Sequence, residues 1–394
     1  MSCSTTVVAA ATWDPAAADY AGRKGTTLFV SKLGDNSDGS SWARALHTVQ
    51  AALSAVPDAK GGHRIIVRPD VYMEQNLCAA FKAAPGAYNV LEADFDGRLG
   101  SGATGYAILD AGDPKLGSTS GVINNFLQSK KVSGEVWDRW IVRRVYATGA
   151  DAGVFWDIRQ DLKRPTQPLT IIVEDCVGIG RAFGGGVAGH SRPRADEPTV
   201  FRRCQLWSLD WWGDAAGAYV RAENRAMPEH PDAVFEDCTL VGPDNALQAG
   251  NPGFDGYTRV KLKRCNLISL NISMPEGCPS TGVIYSTIKG KYLHVDLEDS
   301  TLIGYKVFGA GGPQFGGFGG IRPGAADGGP ISYTTQGRVR AYVRFSQTVP
   351  KGFQRLGRWP VEVFQTILPP RPDPRKARKA GRHGSEPDTG PSSE

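Results

Sequence analysis

The residues best equipped for chemistry lie in one short stretch, Leu206-Trp207-Ser208-Leu209-Asp210-Trp211-Trp212-Gly213-Asp214. Three Trp within six residues cannot all fill a narrow core, so at least one is expected near the surface. An exposed Trp beside Asp suits a sugar: the indole stacks on the C–H face of a pyranose, and the carboxylate binds hydroxyls or moves protons. Trp207, Trp211 and Trp212 are therefore expected to bind substrate, and Asp210 and Asp214 to be catalytic. The loop at residues 180–194 adds Arg181, His190, Arg192 and Arg194. A guanidinium grips an acidic sugar's carboxylate through two parallel hydrogen bonds, and an imidazole exchanges protons near neutral pH. Arg181 and His190 join the catalytic set and Arg192 the binding set. The loop before that supplies Trp156 and Asp157 for binding, with Asp161 nearby. Each feature also has an ordinary explanation: Trp packing a loop, His merely exposed, Asp starting a turn.

These loops hang on a repeat. An apolar residue, two charged residues and a Cys or small residue recur six times. The copies are Val142-Arg143-Arg144-Val145, Val173-Glu174-Asp175-Cys176, Phe201-Arg202-Arg203-Cys204, Phe235-Glu236-Asp237-Cys238, Leu262-Lys263-Arg264-Cys265 and Leu297-Glu298-Asp299-Ser300. They are 31, 28, 34, 27 and 35 residues apart, so a constant strand alternates with variable loops. The charges reverse sign at every copy. Strands stacked in parallel register lie about 4.8 Å apart, where like charges repel and opposite charges attract. The alternation thus predicts a stacked solenoid, with exposed rungs that set register more than stability. Cys176, Cys204, Cys238 and Cys265 are expected to point inward as small hydrophobes beside Val173, Phe201, Phe235 and Leu262.

Six positions past the small residue of each copy stand Asp151, Ala182, Asp210, Asp244, Asn271 and Lys306. If register persists that far, Asp210 and Asp244 occupy adjacent coils. Two carboxylates at one rung spacing would raise a pKa, hold a cation, with calcium as the candidate, or act as an acid–base pair.

A solenoid must cover its ends. Ser40 or Ser41 can N-cap a helix whose Trp42, Leu46, Val49, Leu53 and Val56 share one face, placing a capping helix at about 41–56. Residues 28–76, which end in Val67-Arg68-Pro69-Asp70-Val71-Tyr72-Met73-Glu74, resemble the opening of pectin-lyase-like β-helix proteins. Those proteins open with an extended strand, a Gly/Asp/Asn turn, a capping helix and a V-x-P-G-x-Y-x-E strand end. Asp70 replaces the usual Gly, a change that a turn tolerates. The resemblance implies an all-β chain folded as a right-handed single-stranded parallel β-helix with an N-terminal capping helix. It does not select among the lyases, hydrolases, esterases, epimerases, tailspikes and adhesins built on that fold. The expected organisation is an extension at 1–25, the β-helix at 26–345, a C-terminal cap segment at 346–368 and a disordered basic tail at 369–394. The Gly-rich residues 307–330 are expected to form a loop. No Lys-Ser/Thr follows them to make a phosphate cradle.

Composition narrows the classes. Charged residues make up 22% and hydrophobic residues 41%, a globular balance, and 49 Gly with 26 Pro suit many turns. No apolar run reaches the ~20 residues of a membrane span, so no membrane partner is expected. Residues 7–11 make a poor secretory signal, because no basic region precedes them and the apolar stretch is short. Localisation is left open, although an extracellular or periplasmic site would fit a glycan-active chain. Seven Cys without close spacing argue against a disulfide framework or a zinc site. The tail from residue 371 holds six Lys/Arg against four Asp/Glu, with no interleaved aromatics, and nucleic acid is not expected as a partner.

The expectation is a carbohydrate-active β-helix. It would be a polysaccharide lyase or glycoside hydrolase working on a polysaccharide, acidic or neutral, through a lateral Trp/Asp/Arg cleft. The alternative is a glycan-binding or structural module without turnover. A multimeric tailspike of that kind would need an apolar lateral face, and the sequence gives no clear one.

Overall fold

The computed structural model describes residues 23–112, 121–124, 137–154, 156–157, 169–188, 199–209, 215–222, 224, 226–243, 245–249, 257–270, 282–286, 293–310, 314–316, 320–322, 331–344, 349–358 and 360. Among them, ten strands stack in chain order into one parallel sheet, the first face. They are Thr27–Val30, Arg64–Val67, Asn89–Ala93, Trp140–Arg143, Ile171–Glu174, Thr199–Arg202, Ala233–Glu236, Thr258–Lys263, Leu293–Glu298 and Ile331–Gln336. A second sheet of fifteen strands has two arms that meet in the long strand Val177–Ala188. One arm is the second face, running through Gln205–Ser208, Thr239–Gly242, Asn266–Ser269, Thr301–Gly304 and Arg340–Val343. The other is the third face, running through Ala216–Arg221, Asn245–Ala249, Ile284–Ser286 and Phe308–Ala310. Successive coils pair in parallel on every face, and parallel crossovers of this kind are right-handed. The chain is a right-handed parallel β-helix.

The repeat maps onto this scaffold residue by residue. Val142, Val173, Phe201, Phe235, Leu262 and Leu297 form one inward column, each at most 1% exposed. Burying such a side chain contributes about 1.5–3 kcal/mol, and the Phe201 and Phe235 rings stack at 5.0 Å. The second charged residue of each copy makes the corner between first and second faces. Arg144, Asp175, Arg203, Asp237, Arg264 and Asp299 all have φ between 48° and 59°. This left-handed conformation costs non-glycine residues roughly 1 kcal/mol or more each, and Gly337 takes it over one coil later, at φ 64°. A Cβ on Gly337 would lie 2.3 Å from Asp299 Oδ1, so the switch to glycine is also steric.

The Cys column is buried as expected, but its thiols do more than fill space. Cys204 Sγ donates to Val173 O and Arg202 O, each at 3.3 Å, and Cys238 and Cys265 repeat the pattern one coil on. Ser300 Oγ makes the same pair of bonds, to Leu262 O at 3.3 Å and Glu298 O at 2.9 Å. The column binds carbonyls across the left-handed corner, which explains why Ser can end it.

Three expectations need correction. The rungs are not uniformly exposed. Glu174 is 1% exposed and accepts Arg143 Nε at 2.9 Å from one coil and an Arg202 NH at 3.0 Å from the next. The Asp175–Arg203 rung beside it is the open one. The capping helix is shorter than 41–56. It spans Val49–Ser54 with Thr48 as N-cap, and residues 40–47 form turns that end with Leu46 bridging Val30. Trp42 packs at a tilt against Phe29 and donates to Leu99 O instead of joining a helix. Glu74 of the strand-end motif completes the cap, its two oxygens accepting the Val49 and Gln50 amides at 2.7 and 2.8 Å. Finally, outward apolar columns exist. On the first face Val90, Ile141, Ile172, Val200 and Val234 point away from the core yet are buried. On the second face Val241, Ile268 and Ile303 do the same. Strands covered on both sides read as continuous apolar runs, and that pattern hid the outer columns.

At the C-terminal end Phe308, Tyr333 and Phe353 close the core as an aromatic trio. Within residues 307–330, described backbone forms the strand Phe308–Ala310 and the hairpin Gln314–Gly316 with Gly320–Arg322, not a plain loop.

Candidate functional site

The corner between second and third faces differs in length from coil to coil, as do the connections from the third face back to the first. Gly180 and Phe183 bound it in one coil, with two residues between them. In the next coil the aligned positions are Ser208 and Ala216, with seven residues between. One coil further they are Gly242 and Asn245, with two again. The stretch holding Asp210, Trp211, Trp212 and Asp214 is thus an insertion of five residues at one corner of one coil. The following coil widens the corner again, with twelve residues between Ser269 and Gly282, a residue on a level with Asn245. Asp210, Trp211, Trp212, Asp214 and Asp244 themselves lie outside the described residues. So do His190 and Arg192, which follow the third-face strand that ends at Ala188.

The expected column six positions on assumes a constant register. Register holds through Ser208 and Gly242, and the insertion then separates the count at Asp210 from that at Asp244. A smaller break lies two coils before the insertion. The pairing of Val145–Ala152 with Val177–Ala188 slips by one residue between Gly178 and Gly180. The extra residue is at Thr148-Gly149, where Gly149 has φ 80° and a Cβ would sit 2.4 Å from Asp110 Oδ1. The slip leaves Asp151 one position short of Ala182 and sets it beside Arg181, Nε to Oδ1 at 3.5 Å, before a second shift restores the register at Phe183. Both side chains are largely buried, at 19% and 10% exposed. Sequence counting gave each residue separately and missed the pair. A glycine inside a strand was the available signal for the bulge.

The remaining sequence candidates are dispersed. Trp156 and Asp157 form a short strand that pairs with Gly186 and Val187, five to six residues beyond Arg181 along the third face. Counted from Phe183, which bounds the corner, Gly186 and Val187 are three and four residues on, about 10–13 Å at ~3.3 Å per residue. Trp207 is half-buried on the outer second face, packed between the Ile179 cluster and the Val241 cluster, and its Nε1 is buried without a partner. Arg181 lies next to the insertion: Ser208 Oγ donates to Arg181 O at 3.1 Å, and the Leu209 amide donates to Gly180 O. Leu209, the first inserted-corner residue, is 62% exposed. Chemically, the corner joins an arginine–carboxylate pair to a loop rich in Trp and Asp. Among the described residues no cluster of three or more His, Cys, Asp or Glu could hold a metal, and the proposed calcium residues Asp210 and Asp244 lie outside them. No helix among the described residues is long and apolar enough to cross a membrane.

No family model and no curated protein matches the chain. Among solved structures, the crystal structure of pectate lyase Pel9A is similar to it at 13% sequence identity and a TM-score of 0.41. The match covers 84% of this chain and 74% of that one. The parallel β-helix is established by the strand pairings themselves.

Proposed function

We propose that the protein is a carbohydrate-active β-helix, a polysaccharide lyase or glycoside hydrolase, whose substrate lies against the corner between second and third faces. The observation behind this reading is the five-residue insertion that puts Asp210, Trp211, Trp212 and Asp214 into one corner, next to the Asp151–Arg181 pair. The tight corners on either side serve the coil equally well, so the insertion is not needed for stacking. Trp211 and Trp212 would stack on sugar rings, Asp210 and Asp214 would transfer protons, and Arg181 would bind a uronate. Trp156 and Asp157 pair with the far end of the third face, and His190 and Arg192 follow that strand in sequence. They would meet the same polymer further along its length.

The test is a panel of acidic and neutral polysaccharides, with and without calcium, read by the ultraviolet absorbance of unsaturated uronates and by new reducing ends. Turnover that falls roughly 10²–10⁴-fold in Asp210→Ala or Asp214→Ala supports the reading. Turnover that survives both substitutions overturns the site. Glycan binding without turnover, weakened in Trp211→Ala, makes the chain a binding module instead.

A further inference from the structure

On the first face, far from that corner, the last two strands bring together side chains of a different chemistry. His294 and Ser332 are opposed in the parallel ladder between Leu293–Glu298 and Ile331–Gln336. Asp296 follows His294 by two residues, so all three project from the same outer surface. The imidazole bridges the other two, with Nε2 3.1 Å from Asp296 Oδ1 and Nδ1 2.8 Å from Ser332 Oγ.

These contacts assign the proton. Partial burial pushes the Asp296 carboxyl upward, but hydrogen bonds from Arg259 and Thr334 outweigh it and hold the group below its ordinary range. Arg259 donates through Nε at 2.7 Å and through an NH at 3.2 Å, and Thr334 Oγ1 donates at 2.7 Å. A carboxylate only accepts, so the neutral imidazole carries its proton on Nε2 and donates it to Asp296. Nδ1 is then an acceptor, and the Ser332 hydroxyl has to be the donor. A serine hydroxyl donating to an imidazole that a carboxylate orients is the arrangement of an activated nucleophile. Ser332 is exposed, and among the described residues its strand is the last of the sheet.

We propose that Ser332, His294 and Asp296 form a second reaction centre, independent of the corner, that hydrolyses short-chain carboxylic esters. Ser332 Oγ bonds to the ester carbonyl carbon while its proton passes to His294 Nδ1. The tetrahedral adduct collapses as the C–O bond to the leaving alcohol breaks, and that oxygen takes the proton from Nδ1. Water then attacks the acyl-serine, gives its proton to Nδ1, and the proton returns to Ser332 Oγ as the carboxylic acid departs. Arg259 and Thr334 act as positioning residues for Asp296. Ser332 itself is exposed on the outer surface, which suits a short acyl group.

The full chain is treated with a fluorophosphonate probe, the adduct is mapped by peptide mass, and p-nitrophenyl acetate hydrolysis is followed in parallel. The expected result is an adduct on Ser332, with both labelling and hydrolysis lost in Ser332→Ala. The Ser332 labelling rate should also fall roughly 10²–10⁴-fold in His294→Ala. Absence of an adduct on Ser332 in the unaltered protein overturns the proposal, a result that needs no variant to fold. An unchanged Ser332 labelling rate in His294→Ala overturns it as well. Failure here leaves the polysaccharide reading of the corner intact.

Discussion

Glu174 and Asp175 are neighbours with the same charge, and the coil uses them differently. Glu174 sits under its strand with an arginine from each adjacent coil on its oxygens, those arginines being 17% exposed. Asp175 pairs with Arg203 through two bonds, Nε–Oδ1 at 2.6 Å and NH–Oδ2 at 3.0 Å, but in the open. An exposed pair contributes at most ~1 kcal/mol. Removing the carboxylate from between two largely desolvated guanidiniums costs about 3–5 kcal/mol. Glu174→Gln should therefore lower the unfolding midpoint clearly, and Asp175→Asn, which still tolerates the left-handed corner, should leave it nearly unchanged. Equal midpoints for the two variants in thermal or denaturant unfolding would refute the distinction. The alternation of charge was readable from the sequence because it lives in residue order. The burial of Glu174 was not, because nothing in the repeated apolar–charged–charged pattern reports what covers the outer surface.

The repeating element is a corner as much as a strand. A left-handed residue breaks the first-face strand, and the thiol or hydroxyl after it takes up carbonyls of its own coil and the preceding one. The Cys column was legible as an inward column from spacing alone, but its hydrogen bonds depend on that conformation, which Arg and Asp do not announce as Gly would. Two outcomes follow for the thiols. Burial pushes Cys176 and Cys238 well above the ordinary thiol range and raises half-buried Cys78 to about 11. At pH 8 these groups are protonated and slow toward a disulfide reagent. Cys204 and Cys265 are shielded by burial alone, at 1% exposed, so titration of the native chain with such a reagent should leave the five described cysteines, Cys78 included, unreacted until denaturant is added. Rapid reaction at Cys176, Cys204, Cys238 or Cys265 would contradict the buried column. In the same column, Cys238→Ser should cost under ~1 kcal/mol, because Ser300 already performs that role.

At the scale of the molecule, the stacked strands form a nearly constant frame, and the connections between faces vary in length. Between second and third faces the corner holds two residues, then seven, then two, then twelve in successive coils. The solenoid was legible in the sequence because six copies repeat its strand and first corner. The site was legible only as a list of residues. A count from the ladder cannot see the bulge at Gly149 or the five-residue insertion, and it therefore merged the Trp156 end of the third face with the Arg181 end. A frame this repetitive predicts that corner length can be changed without unfolding the stack. Replacing residues 209–215 with the two-residue corner Pro243-Asp244 should preserve the strand pairings, because Ser208 and Ala216 already align with Gly242 and Asn245. Loop shortening of this size changes closure entropy by only about 1 kcal/mol. Far-ultraviolet circular dichroism and the unfolding midpoint should stay close to those of the parent, while glycan binding and turnover disappear. Collapse of the fold would make the insertion a structural part of the coil and remove the main argument for a site there. Full activity in the shortened chain would place the sugar chemistry elsewhere on the solenoid, with the Trp156 end of the third face next to be tested.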